Sequence, residues 1–411
     1  MAHPAGKAAT SRSAWSDAEA VAWRQRVMSA GGVAPQTYLT FAGERHRISA
    51  EPLKAWGSTT KLREMKHLAP GSLDPASVVI SAAGKIYAIG TDVLLDPVWG
   101  GLSLVPGGTL TAQDEVEIAY RLALRRLDAL VRLPDGREVV RQGVSELLTP
   151  KLPELAAGEQ LLAVIFIDYH TDPAALEVLP VLASPTQATV ATTPPSRLPA
   201  TTKKLREGRP VTVVCWGDSV TAGGDLNPGE RYGDMLAKRL QNGSTVQVIA
   251  VGGSNSQQWM KADLPLDQRH ARHAETRFQR ILDAKADLVI VEFVNDQWMS
   301  RAEAMARYRD IIAQLRAGGS EVLLLTPQRN WERKPGDFRE ADTRPLIAVM
   351  RELGQQGAPG VGCADMAGRW EHLWREGIPF PVMLANGFNH PDVRGHRLFY
   401  EEICRALGIS P

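Results

Sequence analysis

Four short blocks in the second half of the chain carry residues suited to acyl-transfer chemistry. The first, GDSVT at 217–221, offers the hydroxyl of Ser219. The second, VGGS at 251–254, offers the backbone N–H groups of Gly252 and Gly253, where nothing larger than hydrogen stands in a ligand's way. The third, VND at 294–296, offers the carboxamide of Asn295 beside Asp296. The fourth, NHP at 389–391, offers the imidazole of His390. A serine hydroxyl is a poor nucleophile until a base takes its proton. The oxygen of the tetrahedral intermediate then needs preorganised donors, and losing one costs about 10²–10³ in rate. By itself Ser219 reads as an ordinary loop or helix-capping serine, and GDSVT is not the G-x-S-x-G elbow of α/β-hydrolases. The other three blocks shift the balance towards chemistry.

For these blocks to meet, the elements that carry them must end at one place. Continuous apolar runs predict strands at 211–216, 245–251, 287–294, 321–326 and 361–364. Amphipathic stretches predict helices near 230–241, 267–285, 300–317, 342–356 and 395–407. Buried strands alternating with such helices make a mostly parallel sheet covered on both faces. Ligands bind such sheets beyond the carboxyl ends of the strands, which is where the first three blocks fall. Upstream, 183–209 is rich in Pro, Thr, Ala and Ser and reads as an extended linker. Residues 1–182 read as a helix near 17–30 followed by short strands, with PDG at 134–136 marking a hairpin turn. The expected architecture is therefore a β-rich, β-sandwich or jelly-roll-like domain over 1–182, then an α/β domain over 210–411.

In order and in strand-end position, GDSVT, VGGS, VND and NHP resemble the SGNH (GDSL-type) hydrolase superfamily over roughly 210–408. The resemblance implies a three-layer αβα hydrolase domain and a serine esterase without cofactor or metal. Its nucleophile falls on Ser219 and its general base on His390. Its oxyanion donors fall on the Ser219 N–H, the Gly253 N–H (with Gly252 as the alternative) and the Asn295 side chain. The chain departs from the family pattern in three ways. Phe293 stands where the third block usually has glycine, the second block is compressed, and the aspartate usually found three residues before the histidine is replaced by Gly387. Exchanging a triad aspartate for asparagine costs a serine protease about 10⁴ in turnover through the wrong imidazole tautomer. A carbonyl can also accept the Nδ1–H and fix the tautomer. Asn386 is the expected local partner of His390, with Asp365, Asp392 or a backbone carbonyl as alternatives. Carbohydrate esterases that pair a β-sandwich with this domain belong to the same superfamily, and some use only a Ser–His dyad.

The loops nearest the blocks mix tryptophan with polar residues: Trp259 in QQW, Trp298 in DQW and Trp331 in RNWER. Indole faces among hydrogen-bonding groups suit sugar rings, whereas a long acyl chain needs an apolar groove. Trp259, Trp298, Trp331 and Asp296 are the expected substrate-binding residues, with bracing of its own loop the favoured role for Asp296, and the expected substrate is a short-chain, acetyl ester of a saccharide. The rival expectations are a general short-chain arylesterase or lipase-like hydrolase, and a non-catalytic glycan-binding protein. With 47 basic against 46 acidic residues, the net charge of +1 gives no general attraction to nucleic acid or anionic membranes. The apolar runs are too short to cross a bilayer. The first residues lack the apolar core of a signal peptide, so the chain as given reads as cytosolic, or exported if a signal has been removed. Cys215, Cys363 and Cys404 are too few and too scattered for a disulfide framework or zinc site and read as buried thiols. His270 and His273 read as an exposed helix face, and Glu371 and His372 as structural.

Overall fold

In this computed structural model, residues 17–67, 69–182, 191–261, 276–331 and 342–411 are described. The chain divides into two compact units, one of Ala183–Leu373 with Asn389–Pro411, the other of Ser16–Leu182 with Trp374–Phe388.

The unit that begins the chain opens with helix α1 (Asp17–Ser29) and continues in short strands. These are β1 (Tyr38–His46), β2 (Thr60–Lys61), β3 (Leu73–Ala82), β4 (Lys85–Tyr87), β5 (Val93–Leu95), β6 (Gly101–Leu104), β7 (Val116–Ala123), β8 (Arg126–Arg132), β9 (Glu138–Arg141), β10 (Gln160–Ile167) and β11 (Glu177–Pro180). They form three antiparallel sheets, ordered β1-β7-β3-β4, β11-β10-β8-β9 and β2-β6-β5. The strand-rich expectation for this half is met, and PDG does turn a hairpin: Arg132 pairs with Glu138, and the Gly136 N–H donates to Leu133 O. Ile48, Leu62, Leu102, Ile118 and Tyr120 share one core. Val27 of α1 lies in a second core with Leu130, Ile165 and Val178. Residues 374–388 belong here for physical reasons. The Leu182 N–H donates to Arg375 O, the buried Arg125 guanidinium donates to Pro381 O, and Trp99 meets Phe388 edge-on at 5.4 Å. The expectation of one continuous unit over 210–411 did not include this excursion.

The other unit is built on a parallel sheet of β12 (Thr212–Gly217), β13 (Thr245–Ala250), β14 (Leu288–Glu292), β15 (Glu321–Leu325) and β16 (Val361–Ala364). Their order is β13-β12-β14-β15-β16, so the chain starts near the middle and reverses direction beside β12. Helices α3 (Ser219–Ala222), α4 (Tyr232–Arg239), α5 (Ser256–Met260), α6 (Gln279–Asp283), α7 (Arg301–Ala317), α8 (Pro345–Gln356), α9 (Met366–Glu371) and α10 (Val393–Leu407) follow the strands, and α2 (Pro199–Arg206) precedes them. Each strand from β14 to β16 is buried along its whole length, which is why its sequence is continuously apolar rather than alternating. Ser300 and Glu303 close α7 with a reciprocal capping box, and Asp392 caps α10 by accepting from the Arg394 and Gly395 N–H groups. Leu346, Val349, Met350 and Leu353 of α8 pack onto the sheet with Val322 and Leu324. Phe293 is wholly buried, edge-on to Trp216 at 5.1 Å, so the residue that departs from the family's glycine serves the core.

Two expectations need correction here. The supposed linker 183–209 is structured where it is described. Pro199 starts α2, and Glu321 accepts from the Ala200 and Thr201 N–H groups at 2.9 and 2.8 Å. Thr193 exchanges bonds with Cys363, N–H to O at 2.8 Å and Oγ1 from N–H at 2.9 Å. Composition suggested an extended chain because the segment lacks an apolar period; pairing with an edge strand and a fixed first turn override it. The helix expected at 267–285 is seen only as α6, since 262–275 lie outside the described residues along with His270 and His273. All three cysteines are buried free thiols.

Candidate active site

Ser219 is the first residue of α3, directly after the central strand β12. Asp218 caps that helix: its side chain accepts from the Val220 N–H at 3.1 Å. Its second oxygen accepts the Asn295 N–H at 2.9 Å, tying the turn after β12 to the turn after β14. Asn295 in turn donates its carboxamide N–H to Ser254 O at 2.9 Å, which ties in the turn after β13. Three strand ends are thus stitched together by one carboxylate and one carboxamide, and among the described residues the second carboxamide hydrogen of Asn295 has no acceptor.

His390 arrives from the loop before α10. Its Nε2 lies 2.9 Å from Ser219 Oγ, the distance at which an imidazole can take a hydroxyl proton. The N–H groups of Ser219, Gly252 and Gly253 meet no acceptor among the described residues. Gly252 lies against the nucleophile turn, since a Cβ built on it would stand 3.7 Å from Ser219 Cβ, while Gly253 is the more exposed of the pair. His390 thus meets Ser219, and Asn295 and Gly252 lie on turns tied to or packed against the nucleophile turn.

The partner of His390 differs from the expectation. Its Nδ1 is met by the Asp225 carboxylate, in the loop after α3. The Asn386 Oδ1 accepts the Phe388 N–H at 3.0 Å. Asp365 caps α9 and pairs with Arg351 at 3.0 Å, and Asp392 caps α10 and pairs with Arg394 at 2.6 Å. Asp225 lies neither beside the histidine in sequence nor at a strand end, the two places where sequence points to an acid. The signal available in the sequence was an acid behind two glycines, in GGD, close enough to the nucleophile to fold back on it.

Beneath the site lies a layer of buried acids. Burial pushes the Asp218 carboxyl up, against the pull of the Asn295 and Val220 N–H groups. Glu292 is also pushed up by burial and accepts from Thr221 Oγ1 at 2.9 Å. Burial lifts Asp296 to about 6; its oxygens accept from the Ser256 N–H at 3.1 Å and the Tyr308 hydroxyl at 3.0 Å. Of the two roles expected for Asp296, the bracing one fits: only 3% of it is exposed, and it holds the loop at Ser256 rather than facing substrate. Trp259 also leaves the substrate-binding set. It is 1% exposed, donates Nε1–H to Ser254 Oγ at 2.9 Å and packs edge-on to Trp216. An indole ending a short helix in an otherwise polar loop looks exposed in sequence, and only the packed fold shows the core beneath it. Trp298 is 84% exposed, and Trp331 is half-buried. Between them, Gln297 is fixed through its Oε1, which accepts from Asn330 Nδ2 at 2.9 Å and Arg344 Nη1 at 3.2 Å. Among the described residues, no three His, Cys, Asp or Glu side chains gather as a metal would require.

Residues 215–398 match the model of the GDSL-like lipase/acylhydrolase family. The C-terminal part of the chain is a GDSL-like hydrolase domain. The match spans all four blocks. Among solved structures, the GDSL-like domain is similar to TesA, at 20% identity over 48% of this chain and 97% of that one, with a TM-score of 0.35. It is similar also to LAE5, an α/β hydrolase from the metagenome of Lake Arreo, Spain, at 19% identity over 48% and 95%, with a TM-score of 0.36. A third is Axe2, an acetylxylan esterase from Geobacillus stearothermophilus, at 18% identity over 49% and 95%, with a TM-score of 0.35. No curated protein sequence matches the chain.

Proposed function

We propose that the protein is a serine esterase that removes short acyl groups, acetyl foremost, from the hydroxyls of a saccharide. The observation that carries this reading is the 2.9 Å contact between Ser219 Oγ and His390 Nε2, beside N–H groups that have no acceptor of their own. Ser219 Oγ attacks the ester carbonyl as His390 Nε2 takes its proton. The carbonyl oxygen becomes an anion in reach of the Ser219 N–H, the N–H of Gly253 or Gly252, and the free hydrogen of Asn295 Nδ2. The intermediate collapses as His390 returns the proton to the departing sugar oxygen. Water, deprotonated by the same imidazole, then attacks the acyl-serine, and a second collapse releases acetate and restores Ser219.

The preference for a saccharide rests on what surrounds this centre. Trp298 offers an open indole face, and Gln297 next to it is held so that its N–H₂ group points away from Asn330 and Arg344. A stacking face beside a fixed donor suits a ring with hydroxyls. The test is hydrolysis of p-nitrophenyl acetate and octanoate by the wild type and by Ser219→Ala. Acetate should be turned over faster, and the variant should lose that turnover. Wild-type protein without Ser219-dependent hydrolysis would exclude the esterase reading and leave the glycan-binding one. Faster turnover of octanoate would exclude the short-acyl preference in favour of a lipase-like enzyme.

A further inference from the structure

We infer that Asp225 is the positioning residue of this hydrolase: it holds His390 in the tautomer that can accept the Ser219 proton, in place of the acid missing before the histidine. The inference rests on the serine-esterase reading above. For Nε2 to accept the proton of Ser219 Oγ, Nδ1 must carry the hydrogen and needs an acceptor opposite it. Asp225 Oδ2 occupies that place. The residue three before His390 is Gly387, which has no side chain to offer. Asn386, Asp365 and Asp392 are engaged as described above, with the Phe388 N–H, Arg351 and Arg394. The hydrogen bond to His390 holds the Asp225 carboxyl below its ordinary range against the opposing effect of burial, so it stays ionised at neutral pH.

The loop is built to present this acid. Gly223 ends α3 in the left-handed region, φ +65°, and a Cβ there would stand 2.3 Å from Arg231 Cγ. Arg231 is itself fixed by two 2.8 Å bonds to Asp234 and reaches Ala222 O at 3.4 Å. The Leu226 N–H closes a turn on Gly223 O at 3.1 Å. Asp225 therefore projects from a short arc fixed on both sides. Nucleophile and acid come from one strand-to-helix connection, and only the base is delivered from elsewhere in the sequence.

The experiment measures kcat and KM for p-nitrophenyl acetate in the wild type, Ser219→Ala, Asp225→Asn, Asp225→Glu and Gly223→Ala. It also follows the far-downfield proton resonance of a carboxylate-bound imidazole Nδ1–H. Asp225→Asn should lower kcat by about 10²–10⁴, the upper end being what a buried triad aspartate is worth, with little change in KM. Asp225→Glu should restore part of the loss. Gly223→Ala, which leaves the carboxylate but moves the arc, should also lower kcat. The downfield resonance should be present in the wild type and in Ser219→Ala and absent from Asp225→Asn. Wild-type kcat in Asp225→Asn would overturn the inference, and so would a raised KM with kcat intact, which would make Asp225 a substrate contact. Failure of the esterase reading looks different: Ser219→Ala would equal the wild type, while the resonance would still report whether Asp225 holds His390.

Discussion

Asp296→Asn tests whether the layer under the site is braced by a buried acid as described. Burial is the largest influence on this carboxyl and lifts it from 3.8 to about 6. A carboxyl whose value rises on folding is better tolerated protonated in the fold. Its stabilising contribution is fully present below about pH 4 and is lost as pH rises through about 6. The displacement of about two pH units, at about 1.4 kcal/mol per unit, is worth about 3 kcal/mol. An asparagine of the same shape has no proton to lose. Its Oδ1 still accepts from the Ser256 N–H, and its Nδ2 can donate to the Tyr308 hydroxyl. Urea unfolding of both proteins at intervals from pH 4 to pH 8 should therefore show the stability gap moving by about 3 kcal/mol in favour of the variant. A gap constant to within about 0.5 kcal/mol across that range would refute the reasoning. Since Asp296 is buried, KM should not change in the variant.

Asn295→Ala should lower kcat on p-nitrophenyl acetate by about 10²–10³ with little change in KM, the signature of a donor used mainly in the transition state. Trp259 and Trp298 should respond in opposite ways. Trp259→Ala should destabilise the protein by about 3–5 kcal/mol, measured by urea unfolding, because it empties a packed core site. Trp298→Ala should leave stability within about 0.5 kcal/mol but raise KM for an acetylated oligosaccharide, with p-nitrophenyl acetate kinetics unchanged.

Strands β12 and β14 to β16 were legible to within a few residues because burial along their length leaves only one kind of sequence, a largely apolar run with a turn at each end. The reacting residues were legible because they sit at those turns, where the chain's direction is fixed by the strand before. Asp225 was not, because its position depends on an arc closed by Gly223 and Arg231, and neither residue announces in sequence which side chain it will aim. Trp259 and Asp296 looked like site residues because polar neighbours in sequence stand for polar neighbours in space only at the surface. Phe293 departs from the family's glycine in the third block, and the packed core against Trp216 is what that side chain fills.

The excursion of residues 374–388 has a consequence for how the molecule is made. A ribosome delivers the chain from its first residue, and units usually fold as they emerge. Here the unit begun first is completed by a segment that emerges only after all five parallel strands have been synthesised. Until then the guanidinium of Arg125 lacks the Pro381 carbonyl, and the indole of Trp99 lacks the ring of Phe388. The nascent protein holds its opening half without these contacts until residue 388 has been made, although the cores around Tyr120 and Ile165 contain no residue of that late segment.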